Sequence, residues 1–322
     1  MKNNKKQFDF NYVVGGLADY TNQTSLELIS KALLSDPTAS YVQVMPGVKS
    51  AEDIHTIEST LNVQTGSAGF GASGSTTLGK VTLSVDKCKI NEILDSYALE
   101  SKYTQLALNP GSILTQVPFE QYISEEKAKA MAKVIAKQYW QGDKISGTGN
   151  LALANGLIVD IHDDNTHIVA ATGSTAWNAT NILASVQTMI AAQNVDVLDS
   201  DSRVMFMSPA YYQRLVDALF AENNFFVDAQ NLVGGQFIFP GSNVRIVRTF
   251  GLQGSGSHND AINSNDCVLL CDTRYIYWGT DLVSDYSSFE IFYSRDNDEV
   301  RFISRYKIGA AHLFGLYTVA NF

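Results

Sequence analysis

Apolar positions recur along this chain in two rhythms, and the rhythm changes several times. From Thr24 the spacing is helical: Leu26, Leu28, Ile29, Ala32 and Leu33 share a face. Thr24 or Asn22 can cap this segment and Pro37 stops it. Residues 38–50 read as a strand, SYVQV, ending at Pro46-Gly47. KVTLSVD then alternates, with Val81, Leu83 and Val85 on one side, as a half-buried strand does. A short helix is expected around Glu92–Leu99. The strongest helical pattern spans Ser124–Gln141. Ser124 is placed as its cap, Glu125 and Glu126 in its first turn, and Gly142 at its end. Ala128, Met131, Ile135 and Tyr139 form its apolar stripe, with Val134 beside it. Such a helix is about 27 Å long at 1.5 Å per residue.

After residue 150 the texture becomes strand–helix alternation, which predicts a compact α/β unit. IVDIHDDNTHIVA reads as a hairpin turning at Asp163-Asp164-Asn165. NATNILASVQTMIAAQ is an amphipathic helix with Ile182, Val186, Met189 and Ile190 inward. RVMFMS is a buried strand, and PAYYQRLVDALF a helix with proline in its first turn. NVRIVRTF, CVLLCD and RYIYWG are further strands, and GLQGSGSHNDAINSND is a loop. The tail, SSFEIFYSRDNDEVRFISRYKIGAAHLF, reads as two strands around an Asp-Asn-Asp turn. No internal repeat is visible.

Composition narrows the function classes. With 322 residues, 45% of them hydrophobic, the chain can bury a sizeable core. Its net charge of −10 disfavours chain-wide grip on DNA, though not a local basic patch. Three cysteines, Cys88, Cys267 and Cys271, are too few for a disulfide framework and fit a reducing compartment. No apolar run is long enough for a membrane helix, and MKNNKKQFDF lacks the apolar stretch of a secretory signal. That basic terminus is either a solvated end or an arm ordered against a neighbour or nucleic acid.

The stretch LNVQTGSAGFGASGSTTLGK is the most unusual. Gly66, Gly69, Gly71, Gly74 and Gly79 lie among many Ser and Thr, between strand-like flanks. This predicts a long protruding hairpin or loop, and loops of that length carry function or are disordered. Gly69–Gly74, which includes Phe70, matches G-x-G-x-x-G, and Gly74–Lys80 nearly matches a P-loop. Both motifs need a helix N-terminus next, to aim amides at phosphate. Here STTLGKVTLSV is β-like, and Val81 stands where a magnesium-binding Ser or Thr is required. His162 and His167 bracket the expected turn rather than a ligand set. Cys267 and Cys271 are four apart on one strand face and read as buried thiols. No nucleophile–base constellation stands out, so no catalytic residue, cofactor or metal is expected. Lys129, Lys133 and Lys137, at i, i+4, i+8, form either a solvated face or a row meeting acids of a neighbouring subunit.

The order of these features resembles the major capsid proteins of tailed bacteriophages. Tyr139-Trp140-Gln141-Gly142, Tyr277-Trp278-Gly279-Thr280-Asp281-Leu282 and Lys307-Ile308-Gly309-Ala310-Ala311 resemble capsid sequences in local texture. The resemblance implies an α+β, Hong Kong 97-type capsid fold. Residues 1–37 would be an N-terminal arm and 38–95 an extended β-hairpin loop. Residues 96–150 and 286–322 would be a peripheral domain with a long spine helix at 124–141, and 151–285 an axial α/β domain. It further implies a structural shell subunit that forms pentamers and hexamers around double-stranded DNA. The shell would assemble in the host bacterial cytoplasm and reside in the virion. Portal, scaffolding or cement proteins are implied partners. Because Met1 opens almost directly on the arm, scaffolding would be a separate protein or none. Candidate inter-subunit contacts are Gly66, Gly69, Phe70, Gly71, Gly74 and Lys80 on the loop, and Lys129, Lys133 and Lys137 on the helix. An encapsulin-like protein compartment shares the fold and is the alternative; a nucleotide-binding α/β enzyme is the remote one.

Overall fold

The structure is a computed structural model. It describes residues 36–66, 71, 73–94, 119–164, 168–169, 177–198, 200–222, 235–255, 266–281, 288–294, 299–313 and 317–320. The expected helix from Thr24, most of the expected arm, and Gly69, Phe70 and His167 lie outside them. In chain order the strands are β1 Gln43–Pro46, β2 Ala51–Thr60, β3 Ser75–Ser84, β4 Asp86–Leu94, β5 Ile168–Val169, β6 Arg203–Met207 and β7 Gln236–Ile238. They continue with β8 Arg245–Arg248, β9 Val268–Asp272, β10 Ile276–Thr280, β11 Ser288–Ser294, β12 Glu299–His312 and β13 Thr318–Ala320. The helices are α1 Phe119–Gln141, α2 Leu157–Asp164, α3 Ile182–Ala191, the single turn α4 Val195–Leu198, and α5 Pro209–Ala221.

Three sheets result. One runs β1-β10-β12-β11, with β4 also pairing β12; a second, mixed sheet runs β5-β13-β9-β6-β8-β7; β2 and β3 pair alone. β6 is buried at every residue because both faces of the second sheet are covered, which is why it reads as an unbroken apolar run. Val204 and Phe206 face a core shared with α1, α2 and β12, while Met205 and Met207 face a second core under α3 and α5. β9 divides likewise: Cys271 and Leu269 turn to the first core, Val268 and Leu270 to the second. Cys267, just before the strand, also lies in the first core, so the two thiols share a face as the spacing predicts.

The helical stripe of α1 is as expected: Ala128, Met131, Ile135 and Tyr139 are all buried. Tyr139 stacks on Trp278 with ring centroids 4.1 Å apart, so two of the aromatic motifs meet in the core. The helix starts at Phe119, however, not at Ser124. Ser124 is inside it, and Pro118, directly before Phe119, is the residue that suits a helix start. At 23 residues α1 is about 34 Å long.

Two local readings give way to tertiary contacts. Leu157–Asp164 is a helix, not the first arm of a hairpin. Leu157, Ile158 and Ile161 bury one helical face, and a period-two reading of the same aliphatic segment was equally available. The helix expected near Glu92 is strand to Leu94, because β4 pairs nine residues of β12, Asp86↔Ile308 through Leu94↔Val300. β10 belongs with β1 and β12, and β13 returns to the sheet that contains β6 and β9.

Candidate assembly surface

The β2–β3 hairpin has a built root and a bare outer half. Ten residue pairs join its strands, from Ala51↔Ser84 to Thr60↔Ser75. At the root, Val48, Leu83, Val85 and Ala311 form a small core of their own, with Ile54 and Val81 packed on its margin. Gly279 and Gly309 are directly paired between β10 and β12, and the root sits on them. A Cβ at Gly309 would lie 2.0 Å from the Ser84 carbonyl oxygen, and one at Gly279 2.7 Å from a Val85 methyl. Only hydrogen fits at either position, which is the physical content of the two Gly-containing motifs noted above.

A buried ion pair completes the root. Lys307 and Asp281 have side chains only 2% and 5% exposed, with ammonium and carboxylate 2.5 Å apart. The same ammonium donates to the Lys49 carbonyl at 2.9 Å, which ties the entry of β2 to β12. The Val48 amide donates to the Thr280 carbonyl, and the Val85 amide to the Ser50 carbonyl. Asp281 and Lys307 each lie in a motif quoted above, but nothing in the sequence marked them as a pair. Their signal was weak: single charges at the edges of apolar strands.

Beyond Ile54 the hairpin carries no core. Ile57 and Leu78, cross-strand partners, are 68% and 76% exposed, and Leu61 and Val63 are 84% and 99% exposed. Past the paired strands the two chains stay tied by side-chain amides. Gln64 donates to the Gly71 carbonyl and the Ser73 hydroxyl, each at 2.7 Å, and Asn62 donates to the Ser73 carbonyl. Gly66 has open space around it, and a Cβ at Gly74 would meet the Thr60 carbonyl oxygen at 2.8 Å. Lys80 pairs across the strands with Asp53 at 2.8 Å. Hydrogen bonds from Lys80 and Thr82 hold the Asp53 carboxyl below its usual range. The segment after the glycines is strand β3, where either phosphate-binding motif would need a helix.

The three candidate lysines of α1, Lys129, Lys133 and Lys137, divide. Lys129 pairs with Glu126 one turn back at 2.9 Å. Lys133 and Lys137 instead approach the ring of Phe250, at 6.0 and 5.6 Å from its centroid. Phe250 opens a short 3-10 turn, Phe250–Leu252, capped by the Thr249 hydroxyl. That turn packs on α1 so closely that a Cβ at Gly251 would lie 2.1 Å from the Trp140 ring. Gln141 donates to the Gly251 and Gln253 carbonyls.

Burial pushes the Cys267 thiol up to about 12 and raises Cys88 and Cys271 as well, so all three are thiols at neutral pH, the wrong state for a soft metal or a nucleophile. Among the described residues no group of three His, Cys, Asp or Glu is placed to hold a metal. No helix among them is long and apolar enough to cross a membrane. His312, at the end of β12, is 7% exposed and lies between two carboxylates of α2: Nδ1 is 2.5 Å from Asp160 and Nε2 2.9 Å from Asp164. Burial works against the charged ring, but the hydrogen bonds and charges of Asp160 and Asp164 outweigh it and raise the His312 pKa.

No protein-family model matches the chain, and no curated protein matches it. Solved structures do. Over 91% of its length the chain is similar to 89% of a chain from the satellite phage P4 procapsid that includes the size determination (Sid) protein, with TM-score 0.55 and 12% identity. A chain from the capsid of an empty GTA particle matches over 90% of this chain and 89% of its own, with TM-score 0.54 and 10% identity. The capsid of Myoviridae phage XM1 gives 87% and 88%, TM-score 0.53 and 11% identity. Identities this low speak to the fold alone. The chain therefore has, over nearly its whole length, the mixed helix-and-sheet fold of phage capsid structures.

Proposed function

We propose that this chain is the structural subunit of a phage-type icosahedral shell of Hong Kong 97 type, and that it acts by assembly rather than by catalysis. The observation that carries the reading is the bare outer half of the β2–β3 hairpin on a chain whose whole fold is that of capsid structures. A ribbon with four exposed apolar side chains and no core of its own gains by lying across a neighbour. Fully burying each such side chain is worth about 1.5–3 kcal/mol. A closed symmetric array repeats the same contact at every subunit. In this reading residues 38–95 are the extended loop and α1 is the spine helix. The first sheet is the peripheral unit and the second the axial unit. Residues 1–37 are the arm, and Gly66, Gly69, Phe70, Gly71, Gly74 and Lys80 lie in the inter-subunit contact. Pentamers and hexamers, with portal, scaffolding or cement proteins, would complete a virion shell around double-stranded DNA.

The test is direct. The chain is expressed with and without candidate scaffold, and the product is imaged by negative stain. Shells or capsomers are the expected result; only 35 kDa monomers at high concentration would remove the reading. Nuclease-protected DNA inside the particles separates a virion from a protein-filled compartment of the same fold.

A further inference from the structure

Lys133 and Lys137 sit one turn apart on α1, and both point their ammonium groups at one ring. The ring face attracts each cation and offsets part of their mutual repulsion, and an anion between them would offset the rest. Neighbouring lysines have such partners: Lys127 pairs with Glu92 and Lys129 with Glu126. Among the described residues no carboxylate pairs with Lys133 or Lys137. In a chain of net charge −10 that omission is not for want of acids.

Beside these lysines is a cleft of about 430 Å³, with Val134, Leu151 and Phe250 as its apolar walls. Thr148 and Asn150 add a hydroxyl and an amide to its lining. Phe250 is 39% exposed, which leaves part of the ring open. The cleft lies within the usual size range of small-ligand sites, about 300–1,000 Å³. Its walls are fixed from below. Gln138 donates to the Asn150 carbonyl and Gln141 to the Gly251 carbonyl, so both loops are bonded to α1 itself.

We infer that this cleft is a site for single-stranded nucleic acid, with a backbone phosphate between the two ammonium groups and a base against Phe250. Cations interleaved with an exposed aromatic ring are the combination that binds single strands without reading sequence. An acidic peptide would use the charges but has no need of the ring. The site rests on α1 and the two loops alone. It does not depend on the hairpin, on assembly, or on the shell reading.

The experiment uses the unassembled full chain and a short fluorescein-labelled oligothymidylate, read by fluorescence anisotropy. One phosphate contact on a single strand gives a logarithmic salt slope of about −0.7, so affinity should fall about 2.6-fold between 50 and 200 mM salt. Lys133→Ala with Lys137→Ala should abolish binding and flatten that slope, while Lys133→Arg with Lys137→Arg should retain both. Phe250→Leu keeps the apolar volume but loses the stack, and should weaken binding by at least about fivefold. Circular dichroism confirms that each variant is folded. Three results would each overturn the inference: no binding by the wild-type chain, undiminished binding by the double alanine variant, or a polyglutamate peptide binding as tightly as the oligonucleotide. Because the readout precedes assembly, failure here leaves the imaging test of the shell untouched, and the reverse holds too.

Discussion

At the scale of residues, the hairpin root depends on a few positions that tolerate almost no change. Lys307 and Asp281 compensate each other where both side chains are buried. Removing only the cation leaves a buried carboxylate, which costs about 3–5 kcal/mol, whereas replacing both partners by apolar residues of similar volume is often close to neutral. Lys307→Met should therefore lower the denaturation midpoint severely, and Lys307→Met with Asp281→Leu should recover most of the loss; urea titration of the three chains decides it. Gly309→Ala pushes a methyl against the Ser84 carbonyl, and should cost toward the upper end of the about 1–3 kcal/mol of overpacking. His312 gives a pH signature. Its pKa is raised in the folded state, so its stabilising contribution is full below the unfolded value near 6.5 and is lost as pH rises through the folded value. The midpoint of thermal unfolding should fall from pH 6 upward in the wild-type chain, and His312→Gln should flatten that fall. An equal slope in both chains would mean that the Asp160–His312–Asp164 bridge contributes nothing.

At the scale of elements, the hairpin divides between Ile54, which packs on the root, and Ile57, which does not. Substitutions on either side should separate folding from assembly. Ile57→Lys with Leu78→Asp alters only exposed positions and sets opposite charges across the strands, so stability should stay within about 0.5 kcal/mol while particle yield collapses. The glycine-rich tip can be removed without cutting into the paired strands. A cut from Gly66 to Gly79 would take out half of β3, which begins at Ser75. Thr60 and Ser75 are paired, so residues 61–74 can be replaced by Asn-Gly, the two-residue loop that suits an antiparallel hairpin. That chain should remain folded by circular dichroism and fail to form particles under negative stain.

Across the whole molecule, the two larger cores are not independent. β6 and β9 contribute alternate residues to both, so neither core can open without stripping one face of a shared strand. This predicts a single unfolding transition despite the length of the chain. Trp177 reports the second core, while Trp140 and Trp278 report the first. Tryptophan fluorescence and far-ultraviolet circular dichroism should give coincident midpoints in guanidinium. Two separated transitions would show that the sheets fold as separate units.

What the sequence determined by itself was set by local chemistry. The apolar stripe of α1, the proline-led start of α5, the alternating strand β3 and the Gly/Ser/Thr tip are visible because spacing, caps and turn residues act within a few positions. The same logic excluded a phosphate loop, since a strand and not a helix follows the glycines. Tertiary structure decided the rest. Leu157–Asp164 is helical because its buried face meets the first core and two of its carboxylates reach His312. Residues near Glu92 are strand because β12 offers nine pairing partners, and long-range hydrogen bonds outweigh a weak local preference. The lone charges Lys307 and Asp281 carry no pattern in one dimension; they matter because folding brings residues 26 positions apart into a buried root. Lys133, Lys137 and Phe250 likewise become one cleft only after a loop more than a hundred residues downstream packs onto α1. Periodicity is a property of neighbours in sequence, whereas desolvation and charge pairing depend on neighbours in space.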